Sequence, residues 1–477
     1  MNKPWRVVVV GSGLAGLSCA HRLLELGVQG VVLTPGYLGR DGATQRVHAL
    51  APWIVINAPC QRGDSPQLFW EDLSRAGEGK DRPGLGEVFA EKAPAAAKEL
   101  ATLLQLRPLD QEPFLLPGNS FPRARKFLPE DRHLLLRPLI TPVSAHTEIH
   151  ERTLAVGLEV DGERVCGVWA FHRLEGKLKL HLADAVVLAC GGFGAVFGPS
   201  TVPRWCRGSG LALAATVSAL LHNPHILQAL PVLSLPPAYF PTTRALLNGR
   251  VGVEEELLPP MGDLEALTKL LAHAFRQGRK AWVELREQDC KLFPPRVREL
   301  LQGPGRRLGL SIVVHHGVGG VAVDTWGRTS VPGLYACGEA AGGVQGAQRL
   351  LGTGLLEARV FGLRAAEAIV RDLPKIGPAD PARATAKLLK PPLDPEELEE
   401  QIDRWLGPLA VLRPREEVAE KLGWLACWPL AQEASTLSPW RAAIRLQAAQ
   451  LILSAELRTA PGREEEVDYA ISGRTGL

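Results

Sequence analysis

A run of four valines followed by three spaced glycines limits the fold of this chain more than any other feature. In "RVVVVGSGLAGLSCAHRLLELG", Val7–Val10 has the continuous apolar pattern of a buried parallel strand. Gly11, Gly13 and Gly16 follow with G-x-G-x-x-G spacing, and apolar residues then recur at helical spacing over residues 14–24. The pattern predicts a strand, a tight turn and a helix whose amino terminus can bind a pyrophosphate. A tight turn without a ligand is the alternative interpretation.

The next predicted strand, Gly30–Thr34, argues against a simple NAD dehydrogenase. Such an enzyme has an Asp or Glu about twenty residues after the glycines, where it binds the ribose. This strand instead ends in Thr34, and Pro35 follows. The Thr34 hydroxyl can still hydrogen-bond an adenosine ribose or phosphate.

Two later segments repeat the combination of a strand and a glycine turn. Residues 184–197, "DAVVLACGGFGAVF", are a buried strand followed by glycines. Residues 331–354 contain seven glycines around Glu339, and we expect Val321–Asp324 and Gly333–Ala336 to form a strand pair. Three such segments in this order are typical of flavoproteins with two dinucleotide-binding folds. The sequence therefore predicts bound FAD.

Charge and cysteine content exclude several other functions. The 477 residues carry a net charge of +3 without a basic run of five or more, so we expect no nucleic-acid partner. The eight cysteines form no CxxC motif, which argues against a zinc site or redox pair and predicts small buried residues in a reducing, cytoplasmic protein. Residues 208–243 contain no Asp, Glu, Lys or Arg, but their uninterrupted apolar part, Leu211–Leu221, is too short to span a membrane. It predicts a buried helix followed by a strand.

The motifs resemble those of one flavoprotein superfamily over almost the whole chain. "GSGLAGLS", "VVLACGGFGAVF" and "HHGVGGVAVDTWGRTSVPGLYACGE" are similar to segments of the succinate dehydrogenase and fumarate reductase flavoproteins, and within them of the L-aspartate oxidases. The tail "RAAIRLQAAQLILSAELRTAPGREEEVDY" resembles the carboxy-terminal helical domain of the aspartate oxidases. The resemblance implies an α/β protein: a Rossmann-like FAD-binding domain, an inserted α+β capping domain and a C-terminal helical domain.

The same resemblance places the domain boundaries. The FAD-binding domain is expected in two parts, residues 1–222 and 316–373, with the capping domain at 223–315 between them. The proline-rich residues 374–395 are expected to be a linker. Residues 396–477 are expected to form the helical domain.

The resemblance also implies which residues contact FAD. Covalent members have a histidine just before the threonine that Thr44 matches, whereas this chain has Ala43, so FAD should be bound non-covalently. Ser209 stands where the family has an aspartate. The full set of expected FAD-binding residues is Gly11, Ser12, Gly13, Leu14, Ala15, Gly16, Thr34, Ala43, Thr44, Ser209, Glu339, Gly354 and Leu355.

Two residues match the substrate-binding positions of the family. His315 matches its substrate histidine, and Arg349 matches the arginine that binds a substrate carboxylate. A guanidinium group suits this role because it pairs bidentately with a carboxylate. The alternatives are that His315 is a core histidine and that Arg349 makes a structural ion pair with Glu357.

Other substrate-site motifs of the family are altered. Leu230 replaces a second substrate histidine, and a gapless alignment puts Leu247 where the family has an arginine proposed to transfer a proton. Arg244 or Arg250 could reach the site from a shifted register, and we take Arg244 as the third candidate catalytic residue beside Arg349 and His315. The segment "LLPGNSFP" also lacks the family's glutamate near the substrate amine.

The resemblance favours one function and leaves two others open. The first is oxidation of L-aspartate to iminoaspartate with oxygen or fumarate as acceptor, the opening step of NAD biosynthesis, with quinolinate synthase as the pathway partner. The second is a fumarate-reductase-type oxidoreductase acting on another small acid. The third is a FAD-binding subunit or pseudoenzyme whose substrate site is lost. All three predict a small dicarboxylate or amino acid, if any, as substrate.

Overall fold

A computed structural model describes most of the chain. It covers residues 5–46, 53–109, 111–131, 134–235, 239–286, 307–376, 383–406, 414–432 and 434–458, with residues 290, 293, 298 and 299. Its helices are α1 (Leu14–Glu25), α2 (Pro66–Gly77), α3 (Leu85–Leu103), α4 (Arg137–His146), α5 (Ser209–Thr216), α6 (Thr243–Leu247), α7 (Leu264–Arg276), α8 (Gly354–Ile376), α9 (Pro395–Trp405), α10 (Arg415–Ala426) and α11 (Leu437–Arg458).

The strands form five sheets. In chain order they are β1 (Arg6–Val10), β2 (Gln29–Leu33), β3 (Ile54–Asn57), β4 (Leu106–Pro108), β5 (Ala124–Pro129), β6 (Glu148–His150), β7 (Thr153–Asp161), β8 (Arg164–His172), β9 (Lys177–Leu182), β10 (Ala185–Leu188), β11 (Leu221–His222), β12 (Leu227–Leu233), β13 (Arg250–Val253), β14 (Glu256–Leu257), β15 (Ala281–Glu284), β16 (Arg307–Gly317), β17 (Gly320–Ala322), β18 (Leu334–Ala336), β19 (Ala341–Gly342) and β20 (Ala384–Leu388).

A parallel five-stranded sheet is the centre of the FAD-binding domain. Its order is β18–β10–β1–β2–β6, and every neighbouring pair is parallel. Val7–Val10 is buried because helices, among them α1, cover the faces of the sheet, which explains the unbroken apolar run. The predicted succession of strand, tight turn and helix at the amino terminus is confirmed.

The capping unit is a mixed layer of antiparallel strands and short helices. Its sheet has the order β12–β16–β15–β13–β14, running from Leu227 to Gly317, and α6 and α7 pack on it. Leu230 and Leu247 both belong to its apolar core. The unit lies against the carboxyl ends of the central strands, so it can close a site there.

Part of the expected linker is ordered structure. α8 continues to Ile376, and Ala384–Leu388 forms β20, which pairs antiparallel with β7. The pairing provides hydrogen-bond partners for backbone groups at the edge of the β7–β8–β9 sheet. The proline-rich composition of the segment did not predict this strand. The expectation of a linker across residues 374–395 therefore differs from the structure at residues 374–376 and 384–388.

The expected strand pair after residue 320 is wrong. β17 pairs with β11 and β19, whereas β18 joins the central sheet beside β10. The prediction of a buried helix followed by a strand at residues 211–221 is confirmed by α5 and β11. Within the described residues, no helix is long and apolar enough to cross a membrane.

The carboxy-terminal helices are fixed to the FAD-binding domain by a buried arginine. Arg445 of α11 is 1% exposed, and its Nε and Nη2 atoms donate to the backbone oxygen of Val196. Its Nη1 atom donates to the backbone oxygen and to a carboxylate oxygen of Glu399, and its Nη2 atom also donates to the carboxylate of Asp403; both residues are on α9. α9 and α11 therefore dock as one unit beside the segment that follows β10.

Candidate active site

One large cavity lies at the carboxyl ends of the parallel strands, where ligands of open α/β sheets bind. Segments far apart in the sequence meet there, from both parts of the FAD-binding domain and from the capping unit. The predicted residues that line it are Gly11, Ser12, Gly13, Leu14, Ala15, Thr34, Ala43, Thr44, Ser209, His315, Glu339, Arg349, Gly354 and Leu355. Gly16 and Arg244 are the predicted residues that do not line it.

The first glycine turn leaves the amino terminus of α1 open to the cavity. Gly11 has φ +115°, and a Cβ there would lie 2.2 Å from the backbone oxygen of Ala189. Gly16 instead serves packing, since its Cβ would lie 2.0 Å from the Gly11 oxygen. Gly13 caps α1 and makes no side-chain hydrogen bond. Among the described residues, the only side chain that accepts a hydrogen bond from this end of α1 is Thr44, whose Oγ1 lies 3.2 Å from Leu14 N. The remaining N–H groups and the helix dipole suit a pyrophosphate.

Ser12 and Thr34 connect the turn to the end of β2. Ser12 Oγ donates to Thr34 Oγ1 at 3.0 Å and accepts a hydrogen bond from Gly39 N at 3.1 Å. Thr34 is 2% exposed, so its hydroxyl is held at the wall of the cavity. A hydroxyl, rather than a carboxylate, therefore stands where an adenosine ribose would bind.

The glycine-rich segment 331–354 permits close packing against both backbone and side chains of neighbouring segments. A Cβ on Gly338 would lie 2.6 Å from Ala15 Cβ, and one on Gly342 would lie 2.4 Å from Gly320 N. Gly346 likewise packs against the backbone of Gly77. This packing holds the rest of the segment against the cavity, so that its side chains can line the site.

Glu339 is held under the cavity wall by the backbone. Its Oε1 accepts a hydrogen bond from Gly317 N at 3.0 Å and lies 3.3 Å from His316 Nδ1. A Cβ on Gly192 would lie 2.2 Å from the same oxygen, so a side chain at this position would displace the Glu339 carboxylate. Burial raises the pKa of Glu339 to about 7, although the Gly317 N–H and Arg349 act in the opposite direction.

Arg349 is a partly buried cation beside the cavity, and it makes no ion pair with any described residue. Its Nη1 donates to Gln228 Oε1 at 3.1 Å, and Gln228 Nε2 donates to the Arg349 oxygen at 2.8 Å. Its Nε is buried without a partner in the described structure. Glu357 accepts a hydrogen bond from Gln345 instead, and no ion pair joins it to Arg349. Burial lowers the pKa of Arg349, and the charges of Glu339 and Glu357 act in the opposite direction.

His315 is a neutral imidazole in the same wall. Its Nδ1 lies 2.8 Å from Thr201 Oγ1, and both residues line the cavity. Burial, with the nearby Arg349 charge, lowers the pKa of His315 to about 3, and burial likewise lowers the pKa of His316. His315 is thus suited to hydrogen bonding with a substrate rather than to carrying a charge.

The altered motifs lie in two different places. Leu230 lines the cavity and is 3% exposed, whereas Leu247 is buried in the capping core away from the lining. Arg244 is exposed on α6, and Arg250 is exposed and pairs with Glu284. The structure therefore brings neither Arg244 nor Arg250 to the cavity, because α6 directs its apolar face inward. The same segment contributes Thr242 and Thr243 to the lining.

Sequence patterns missed several residues of the site. Gln228 and Thr201 were not among the predicted site residues, and their contacts with Arg349 and His315 identify them. Lys126 also lines the cavity, with its ammonium 4.6 Å from the ring centroid of Phe114.

Three cysteines, Cys190, Cys206 and Cys337, also line the cavity, and burial raises the pKa of each thiol. They behave as small apolar groups, as expected. Cys60 and Cys427, in contrast, are exposed.

The residues of the cavity fit FAD. Open helix N–H groups, glycines without room for a side chain and a buried hydroxyl at Thr34 form a continuous surface for a dinucleotide. Ala43 offers no nucleophile for a covalent bond to the flavin.

Known proteins resemble this chain both in sequence and in fold. The FAD binding domain family matches residues 6–252 and 239–355. The L-aspartate oxidase of Caulobacter vibrioides is 31% identical over 405 residues, which cover 78% of this chain and 77% of that protein. A fumarate reductase flavoprotein subunit of Mycobacterium tuberculosis is 28% identical over 417 residues, covering 77% and 70%. The solved structure of Mycobacterium smegmatis Sdh1 in complex with UQ1 has the same fold, with a TM-score of 0.79 at 23% identity over 96% of this chain and 87% of that one.

Proposed function

Because the chain belongs to the L-aspartate oxidase family of the succinate dehydrogenase and fumarate reductase flavoproteins, we propose that it oxidises a small α-amino acid whose carboxylate binds Arg349. It is a flavin-dependent oxidoreductase, and its cofactor is FAD. The single observation that carries the proposal is the state of Arg349. Arg349 is partly buried and its Nε has no partner among the described residues, and a charge in such a position costs free energy unless an anion binds it.

The residues around Arg349 support a substrate carboxylate at this point. Gln228 bonds both the guanidinium and the backbone oxygen of Arg349, which fixes the direction of the side chain. The guanidinium reaches the start of α8, where a Cβ on Gly354 would lie 2.7 Å from Nη2. Gly354 and Leu355 also line the cavity, so an acid bound to Arg349 would lie at the cofactor.

The reaction requires removal of two electrons and two protons from the amino acid. FAD, when bound, supplies a two-electron acceptor. Oxidation breaks the Cα–H bond and an N–H bond and leaves a C=N double bond in the imino acid product. The chain's own contribution is to hold the carboxylate on Arg349 and to place His315, a neutral hydrogen-bonding group, beside it. The low pKa of His315 makes it a weak base, so we assign it to substrate orientation.

L-Aspartate is the first substrate to test because the relatives bear that name. With L-aspartate the product is iminoaspartate, the acceptor is oxygen or fumarate, and the reaction opens NAD biosynthesis ahead of quinolinate synthase. A reductase acting on another small acid is the second candidate, favoured by the apolar Leu230 at the cavity wall.

Anaerobic titration of the purified yellow protein with amino acids tests the proposal. Loss of flavin absorbance near 450 nm upon addition of an L-amino acid, and its return with oxygen or fumarate, is the expected result. If no L-amino acid bleaches the flavin while dithionite does, amino-acid oxidation is refuted.

A further inference from the structure

Four arginines from three separate segments lie together near the indole ring of Trp205. We refer to Arg173, Arg204, Arg207 and Arg441 as the arginine cluster. Arg204 and Arg207 flank Trp205 in the segment between β10 and α5, Arg173 directly follows β8, and Arg441 lies on α11. The guanidinium carbons of Arg204 and Arg441 lie over the Trp205 ring, 5.5 and 5.3 Å from its centroid. The fold thus collects cations that are far apart in the sequence.

The cluster has little negative charge to balance it. Its one ion pair among the described residues joins Arg207 to the carboxylate of Glu399. Glu399 also accepts a hydrogen bond from Arg445, and Arg445 binds the neighbouring Asp403 as well. Both carboxylates are therefore already bound to arginines. In the part of the chain that the structure describes, the other three members of the cluster make no ion pair.

Two of the four guanidinium groups are half-buried and incompletely hydrogen-bonded. Nε of Arg207 and Nε of Arg441 are buried and have no hydrogen-bond partner among the described residues. Burial lowers the pKa of Arg441 to about 10, and the charges of Arg207, Arg204 and Arg173 act in the same direction, against Glu399. Like charges held this close to one another raise the free energy of the fold, and a bound anion removes that cost.

The position and composition of the cluster indicate the class of anion. Arg173 and Arg204 are exposed, so the cluster is open to solvent, whereas Trp205 and the adjacent Cys206 line the cofactor cavity. Guanidinium groups match the oxygens of a phosphoryl group bidentately. Because the cations are spread around a ring, an anion with two phosphoryl groups contacts more of them than a single carboxylate or phosphate does.

We propose that the arginine cluster binds a soluble anion with two or more phosphoryl groups. The site is distinct from the first glycine turn, where the N–H groups of α1 suit the pyrophosphate of FAD. Free inorganic diphosphate and the diphosphate group of a nucleotide share this chemistry. The inference does not depend on which acid the protein oxidises, since Arg349 takes no part in the cluster.

Titration of the purified FAD-bound protein tests the inference. Inorganic diphosphate, ADP and orthophosphate are added in about 0.15 M KCl, where exposed charges are largely screened. Binding is measured by calorimetry and by the shift in Tm, and flavin absorbance after gel filtration shows whether FAD stays bound. We expect diphosphate to bind saturably, to raise Tm and to leave FAD in place, and orthophosphate to bind at least about tenfold more weakly.

The outcomes separate the sources of the anion and the ways in which the inference fails. ADP that binds at least as tightly as diphosphate identifies a nucleotide as the ligand, and weaker binding of ADP identifies the free anion. If diphosphate does not bind saturably, or binds no more tightly than orthophosphate, the inference is overturned. It is also overturned if diphosphate releases FAD, because the anion then occupies the pyrophosphate site of the cofactor.

Variants show whether the cluster itself holds the anion. Arg441→Leu and Arg204→Leu should each weaken diphosphate binding at least about tenfold, and Arg441→Lys should retain part of the affinity. Arg250→Leu is the matched control, since Arg250 is an exposed arginine that pairs with Glu284 outside the cluster. Equal losses in Arg250→Leu and Arg441→Leu would mean that binding follows net charge alone, which overturns the inference. Arg204 is exposed, so its variant decides the question even if Arg441→Leu does not fold.

Discussion

Replacing Arg349 by leucine tests whether this arginine binds substrate or only supports the fold. Leucine roughly keeps the apolar volume but removes the charge and the hydrogen bond to Gln228 Oε1. We expect Arg349→Leu to retain FAD and to lose turnover. Arg349→Lys keeps a charge but not the planar fork, and we expect it to retain only part of the activity.

The structure sets the size of both effects. Loss of a bidentate charged pair with substrate costs about 2–5 kcal/mol, or about 30- to 5000-fold in kcat/KM. The free energy of unfolding should change far less. The variant loses one neutral-acceptor hydrogen bond, about 1 kcal/mol, but it also removes a partly buried cation that has no ion pair with the described residues. These two contributions oppose each other, so stability should stay within about 1–2 kcal/mol of the wild type.

The assay combines FAD content, urea unfolding and steady-state kinetics on whichever amino acid bleaches the wild-type flavin. Arg250→Leu is the control, because Arg250 is exposed, pairs with Glu284 and does not line the cavity. The reasoning is refuted if Arg349→Leu keeps full kcat/KM. It is equally refuted if the variant loses FAD or unfolds, since Arg349 is then structural.

The remaining predictions concern the cofactor site. Acid precipitation should release all FAD into the supernatant because Ala43 cannot bond the flavin, and yellow colour that stays with the precipitated chain contradicts this. Gly11→Ala should abolish FAD binding or folding, since its Cβ would lie 2.2 Å from a backbone oxygen. The control is Gly27→Ala, which has φ +75° but open space around it and should lower the free energy of unfolding by only about 1 kcal/mol. Glu339→Gln should stabilise the FAD-free protein above pH 7 by about 3 kcal/mol, measured by urea unfolding. The reason is that burial raises the pKa of the carboxyl from 4.5 to about 7, and each pKa unit corresponds to about 1.4 kcal/mol of unfolding free energy. The folded state holds this proton more tightly than the unfolded state, so the wild type loses stability as the pH rises from 4.5 to 7. Below pH 4.5 the variant and the wild type should therefore have the same free energy of unfolding. A stability difference that does not depend on pH contradicts the pKa shift.

Local patterns predicted those parts of the fold that short segments determine. The strand and helix around Gly11 follow from an apolar run, a glycine turn and helical spacing within twenty residues. The strand pair expected after residue 320 failed because pairing is not local. β18 has no partner nearby in the sequence and finds β10 instead. The strand β20 was missed for the same reason, since its partner β7 lies more than two hundred residues earlier.

The cofactor half of the site was more predictable than the substrate half. Family resemblance at the glycine turns and the segments after them named thirteen positions, of which only Gly16 lies outside the lining. The identity of the residues in the substrate half depends on which face of the five-residue helix α6 points toward the protein interior. Sequence spacing did not show that α6 buries Leu247 and exposes Arg244. Gln228, which fixes Arg349, was not among the predicted residues and was identified by its contacts.

The order of strands in the central sheet has a consequence during protein synthesis. β10 ends at Leu188, but its outer neighbour β18 begins only at Leu334, after the whole capping unit. At about 5–20 residues per second, a ribosome needs roughly 7–30 s to make the intervening chain. Throughout that interval the newly made β10 has an unpaired apolar edge, which is able to bind other chains. Neither Glu339 nor Arg349 has yet been made, so FAD cannot be enclosed until translation has passed them. We therefore expect the nascent chain to depend on chaperones that cover this edge, and its yield in cells to depend on how fast the capping unit is translated.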